Sequence, residues 1–95
     1  MKLITKPILE RLPQIGDTTS DDNPMVWVKL FDAWSQWTWY LIEFDGDDEC
    51  FSYVKGLESE LGDFRLSEIQ SLCRPHQVER DRYFKPCRLS VLIGK

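Results

Sequence analysis

Ninety-five residues at 42% hydrophobic and 13% aromatic content make one domain, spanning 1–95, with enough apolar matter for a core that needs no disulfide or metal staple. No stretch approaches the roughly 20 apolar residues of a membrane span, and charges and a proline in Met1-Lys2-Leu3-Ile4-Thr5-Lys6-Pro7 interrupt any signal-peptide run, so a cytoplasmic protein without membrane contact is expected. The formal charge of −4 argues against a broadly basic, nucleic-acid-coating surface, yet it is uneven: residues 1–73 sum to −8 and residues 74–95 to +4.

Thr5 is placed to cap a helix over about 6–12, with Pro7 in the first turn, where a missing N–H is harmless, and Pro13 as the stop. Ile4, Ile8, Leu9 and Leu12 give it one apolar stripe. Residues 16–24 are polar and rich in breakers, so they read as a mobile loop. Residues 25–32 read as a strand, with Val26, Val28 and Leu30 on one face and Met25, Trp27 and Phe31 on the other. A short connection over 33–35 makes an antiparallel hairpin with the next strand.

That next strand, over 37–44, organises the rest. Trp37, Trp39, Leu41 and Glu43 alternate with Thr38, Tyr40, Ile42 and Phe44. Burial on one face alone would leave three large side chains in water, so this is a central strand covered on both faces. Asp45-Gly46 supplies turn chemistry into a third strand over 50–55. A fourth, short strand follows over about 61–66. Ser67 and Gln70 have capping-box spacing for a helix over about 68–73, ended before Pro75. Residues 79–86 read as a strand or an irregular arm, and Leu89, Leu92 and Ile93 as a last helical turn. The fold class is therefore α+β, a small antiparallel sheet of about four strands flanked by short helices. Its expected core includes Val28, Leu30, Trp39, Leu41, Ile42, Phe51 and Val54.

Several ordered segments carry a resemblance. They are Leu3-x-Thr5-Lys6, Leu12-Pro13, Val26-x-Val28-Lys29-x-Phe31, Trp37-Thr38-Trp39-Tyr40 and Glu43-Phe44-Asp45-Gly46. They continue with Gly56-x-Glu58-x-Glu60-Leu61-Gly62-x-Phe64-x-Leu66-Ser67-Glu68-Ile69 and Val78-Glu79-Arg80-Asp81-x-Tyr83-Phe84-Lys85-Pro86. Over nearly its whole length the chain resembles DUF2958, an uncharacterised bacterial family. The resemblance implies no activity, cofactor or site. It does imply an association with plasmids, phages and other mobile elements, and hence an accessory or anti-defence role, such as an anti-CRISPR or anti-restriction inhibitor.

Three classes of chemistry fit the residues. The first is protein binding. The groups Asp17/Asp21/Asp22, Asp45/Asp47/Asp48/Glu49 and Glu58/Glu60/Asp63 can form a negative face that docks on the basic groove of a nucleic-acid-processing complex. Asp45, Asp47, Asp48, Glu49, Glu58 and Glu60 are the expected partner contacts, and turn charges of this kind are expected to contribute little to stability. Solubility alone also accounts for such acids. The second class is nucleic-acid binding: Trp37 and other sheet aromatics (Trp27, Trp34, Trp39, Tyr40, Tyr53) stack bases, while Arg80, Arg82, Lys85, Arg88 and Arg74 meet phosphates. Core packing accounts for most of those aromatics. The third class is a small metal-dependent hydrolase using Glu58, Glu60 and Asp63. It lacks a nucleophile signature or phosphate loop, and Asp45-Gly46-Asp47-Asp48-Glu49 lacks the ligand order of a calcium loop. Cys50, Cys73 and Cys87 are widely spaced and His76 is the only histidine, so reduced thiols are expected in place of a zinc site. No cofactor is expected, and protein binding is the leading reading.

Overall fold

The computed structural model describes residues 3–71 and 77–93. Among the described residues three helices, α1 (Lys6–Leu9), α2 (Leu66–Ser71) and α3 (Leu89–Ile93), accompany seven strands. The strands are β1 (Met25–Val26), β2 (Val28–Asp32), β3 (Thr38–Phe44), β4 (Glu49–Lys55), β5 (Ser59–Arg65), β6 (Val78–Arg80) and β7 (Cys87–Arg88). Five of them form one antiparallel sheet in the order β5-β4-β3-β2-β6, and β1 and β7 pair separately. The architecture is α+β, as the residue patterns predict, with one strand more in the main sheet than expected and a second small sheet. No helix among the described residues is long and apolar enough to cross a membrane.

β3 is the middle strand, and six of its seven residues are buried. One face carries Val28, Leu30, Trp39, Leu41, Phe44, Cys50 and Val54, covered by Leu3 and Leu12 beside α1 and by Ile69 of α2. The other carries Tyr40, Ile42 and Tyr53 beneath Val26 and Leu89, so α3 and the β1–β7 pair form the second cover. The expected core is buried throughout, except that Phe51 is only half-buried at the margin of this second cluster.

Four local expectations are corrected. The 25–32 strand breaks at Trp27: Val26 joins the second cluster while Val28 and Leu30 join the first. The break lets β1 leave the main sheet for β7, and the Trp27 N–H donates to the Leu41 carbonyl across it. Next, a register shift between Leu41 and Glu43 leaves Ile42 without a partner on β4. This β-bulge resets the alternation beyond it, so Phe44 packs with Trp39 and Leu41 rather than opposite them.

The third correction concerns the helices. α1 is four residues long, Thr5 makes no side-chain cap, and Leu9 is exposed. A bond from the Leu12 N–H to the Ile8 carbonyl nevertheless keeps the chain coiled, which places Leu12 in the core. α2 begins at Leu66 and is capped from outside: the Ser67 N–H and hydroxyl both donate to the Asp48 carboxylate, at 2.7 Å each. The remainder of the predicted 68–73 helix, with Cys73, Arg74 and His76, lies outside the described residues.

Fourth, the 16–24 loop is tied down. Gly16 and Thr18 donate their backbone N–H groups to Glu43 at 2.8 and 2.7 Å, and the Thr18 hydroxyl donates to it as well. Gly16 has φ +95°, a conformation open to glycine and costly for other residues. At the far end, the Asn23 side chain accepts from the Ser90 N–H and donates to its hydroxyl.

Candidate functional site

Tethering the 16–24 loop creates a groove. The loop lies over the β4–β5 side of the second face and encloses a cavity of about 440 Å³, a size in the lower part of the ligand-cavity range. Its apolar contributions include Ile15, Phe51 and Leu61, and its carboxylates are Asp21, Asp22 and Asp63. Leu61 is 50% exposed and Ile15 38%, so this apolar surface is open to a partner. Glu43 also lines the groove, but its oxygens are taken by the loop. Burial pushes the Glu43 carboxyl upward, and the bonds from Thr18 and Gly16 outweigh it, so the net shift is downward. It is a carboxylate anchored in place, which leaves Asp21, Asp22 and Asp63 as the other acids of the groove.

Those three differ in availability. Asp21 lies 3.5 Å from an Arg88 guanidinium nitrogen. Asp22 and Asp63 have no cationic partner among the described residues. Asp63 belongs to β5, the terminal strand of the sheet, whose outer side bonds to no other strand among the described residues.

The six expected partner contacts do not form one surface. Asp45, Asp47, Asp48 and Glu49 sit at the β3–β4 turn, whereas Glu58 lies in the β4–β5 turn and Glu60 on β5 opposite Val54. These turns occupy opposite ends of β4, seven residues or roughly 20 Å apart. Two of the acids hold the fold. Asp45 accepts from the N–H groups of Asp47 and Asp48 at 2.8 Å and of Glu49 at 3.1 Å. These bonds, that from Asp47 foremost, hold its carboxyl below the usual range. Asp48 is lowered likewise, first by the Ser67 hydroxyl and then by the Ser67 N–H. Gly46, at φ +90°, closes the turn. Asp47, Glu49, Glu58 and Glu60 are exposed.

The basic and aromatic candidates are dispersed. Arg80 and Arg82 line a cleft beside Trp27 and Phe84 on the β6 side. Lys85 is exposed nearby in sequence, and Arg88 faces away to Asp21 and the Asn23 carbonyl. Trp37 stacks on Trp39, centroids 6.2 Å apart, and lines a separate hollow with Phe64 and Ile69. Trp39, Tyr40 and Tyr53 are core residues, whereas Trp34 is 60% exposed. Among the described residues no three or more His, Cys, Asp or Glu side chains are grouped to hold a metal ion.

Residue pattern alone misses the groove. Asp22 and Asp63 are 41 positions apart in the chain and come to line one groove where the loop bonded to Glu43 crosses the sheet. The available signal was Glu43 itself, a lone charge within an aromatic strand, which implies a buried carboxylate with dedicated donors.

No curated protein and no solved structure matches the chain. The family model described as protein of unknown function (DUF2958) matches residues 3–94, and the chain belongs to that family.

Proposed function

We propose that the protein is a non-enzymatic binding module that seats a basic segment of a partner protein in the groove between the 16–24 loop and β5. The observation that carries this reading is the pairing of open carboxylates, Asp22 and Asp63, with the exposed apolar surface of Ile15 and Leu61. A lysine or arginine side chain needs both: its methylene stem lies on apolar atoms while its head meets carboxylate. The outer side of β5 offers backbone N–H and C=O groups to an added strand, so an extended segment can pair there while its side chains enter the groove. Asp47, Glu49, Glu58 and Glu60 serve long-range attraction in this scheme. A partner that processes nucleic acid fits the association with mobile elements that the resemblance implies, the carboxylates standing in for phosphates.

The test is kinetic. A partner captured from bacterial lysate by the wild-type protein is measured against Asp22→Asn combined with Asp63→Asn. The double variant should associate more slowly and lose part of its salt dependence, since exposed charges act mainly on encounter. A partner bound equally by the variant, at a rate indifferent to salt, sinks the reading.

A further inference from the structure

On the opposite edge of the sheet, a cleft of about 370 Å³ lies between α1, the β1–β2 junction and residues 80–86. Three arginines line it, from two parts of the chain: Arg11 after α1, and Arg80 on β6 with Arg82 just beyond it. Arg80 is oriented by donating to the Leu3 carbonyl at 3.0 Å. Arg11 and Arg82 are exposed and have no carboxylate partner among the described residues. The one acid in the lining, Asp81, is already satisfied: it pairs with Lys29 at 3.7 Å and accepts from the Tyr83 N–H at 2.9 Å. The cleft is thus strongly cationic in a chain whose formal charge is −4. Its walls include the flat side chains of Trp27 and Phe84, and Phe84 is fixed against Tyr40 with ring centroids 6.0 Å apart.

We propose that this cleft binds a nucleoside monophosphate unit, with its phosphate among the three guanidinium groups and its base against the Trp27–Phe84 wall. Guanidinium forks match phosphate oxygens in pairs, and three converging cations suit a dianion better than a single carboxylate. Aromatic walls accept the π-face of any base. The volume, at the small end of ligand cavities, accommodates one such unit rather than a longer tract. The unit can be a free mononucleotide or the 5′-phosphorylated end of a single strand; the chemistry of recognition is the same. The site is separate from the acidic groove, and neither depends on the other.

Calorimetric titration of the full chain at low salt separates the outcomes. Adenosine 5′-monophosphate should bind at one site, and adenosine or inorganic phosphate alone should bind at least about tenfold more weakly. Arg11→Gln and Arg82→Gln should each weaken the nucleotide roughly tenfold, the scale of one charge-assisted hydrogen bond. Both side chains are exposed, and a circular-dichroism melt on each variant checks that the fold is intact. Tighter binding of a 5′-phosphorylated tetranucleotide than of the mononucleotide assigns the site to a strand end; equal or weaker binding assigns it to the free nucleotide. Absence of binding by both overturns the proposal. So does binding that ignores both substitutions, or inorganic phosphate binding as tightly as the nucleotide.

Discussion

A carboxylate inside a sheet covered on both faces is tolerated only where donors replace the water it loses, and Glu43 finds them on the 16–24 loop. Its pKa is lower folded than unfolded. Its contribution to stability is therefore complete above the unfolded carboxylate range and is lost as pH falls through that range to the depressed folded value. Thermal melts of wild type and Glu43→Gln should therefore differ most at neutral pH, by roughly 1–3 kcal/mol for charged hydrogen bonds replaced by neutral ones. The curves should converge in acid. Parallel curves across that interval would mean that Glu43 is not the group anchoring the loop. Ser52 is the opposite case: its hydroxyl is buried with no partner among the described residues.

Among the elements, the β3–β4 turn has two kinds of acid within five residues. Asp45 and Asp48 are bonded into the turn and the start of α2, whereas Asp47 presents its side chain to solvent. Asp48→Asn should lower the thermal midpoint and loosen α2, seen as faster amide exchange at Ser67 and Glu68. Asp47→Asn should leave both unchanged. Equal effects from the two would deny Asp48 its capping role.

The difference between these neighbours shows where residue patterns stop being informative. Asp45-Gly46 is readable as a turn because its chemistry is local. Asp48 caps a helix 19 residues onward, and no spacing rule reports that. The alternating aromatics of 37–44 reveal a central strand but hide the bulge at Ile42, since either face accepts a large apolar residue there. β6 and β7, three and two residues long, are too short to show a period, so their pairing with β2 and β1 is decided by tertiary contacts alone.

At the scale of the whole molecule, the charge asymmetry of the chain is partly folded away. Arg88 of the basic segment meets Asp21 of the acidic one and cancels part of it, whereas Lys29 and Asp81 pair the minority charge of each segment. What survives is an acidic groove beside β5 and a basic cleft beside β6, roughly 20 Å apart across four strand spacings. The core between them contains Cys50. Burial first, then the charges of Asp45, Asp48 and Glu49, push its thiol up to about 12. At mildly alkaline pH, iodoacetamide should label half-exposed Cys87 well before Cys50, as read by peptide mass spectrometry. Trp39→Ala, expected to lose about 3–5 kcal/mol from a buried position, should accelerate Cys50 labelling far more than Cys87 labelling. A Cys50 labelling rate unchanged by that substitution would show that Cys50 opens locally, without global unfolding.

The strand order also has a consequence during synthesis. The four-stranded meander β2 to β5 is complete once Arg65 has left the ribosome, yet β2 still lacks β6 and β1 still lacks β7. At ~5–20 residues per second, the intervening stretch to Arg88 takes roughly one to five seconds. For that time the nascent chain exposes an unpaired β2 edge, the kind of edge that recruits neighbouring chains on a polysome. Lys29 and Asp32 on β2 are the charges available to discourage such mispairing until translation delivers the closing strands.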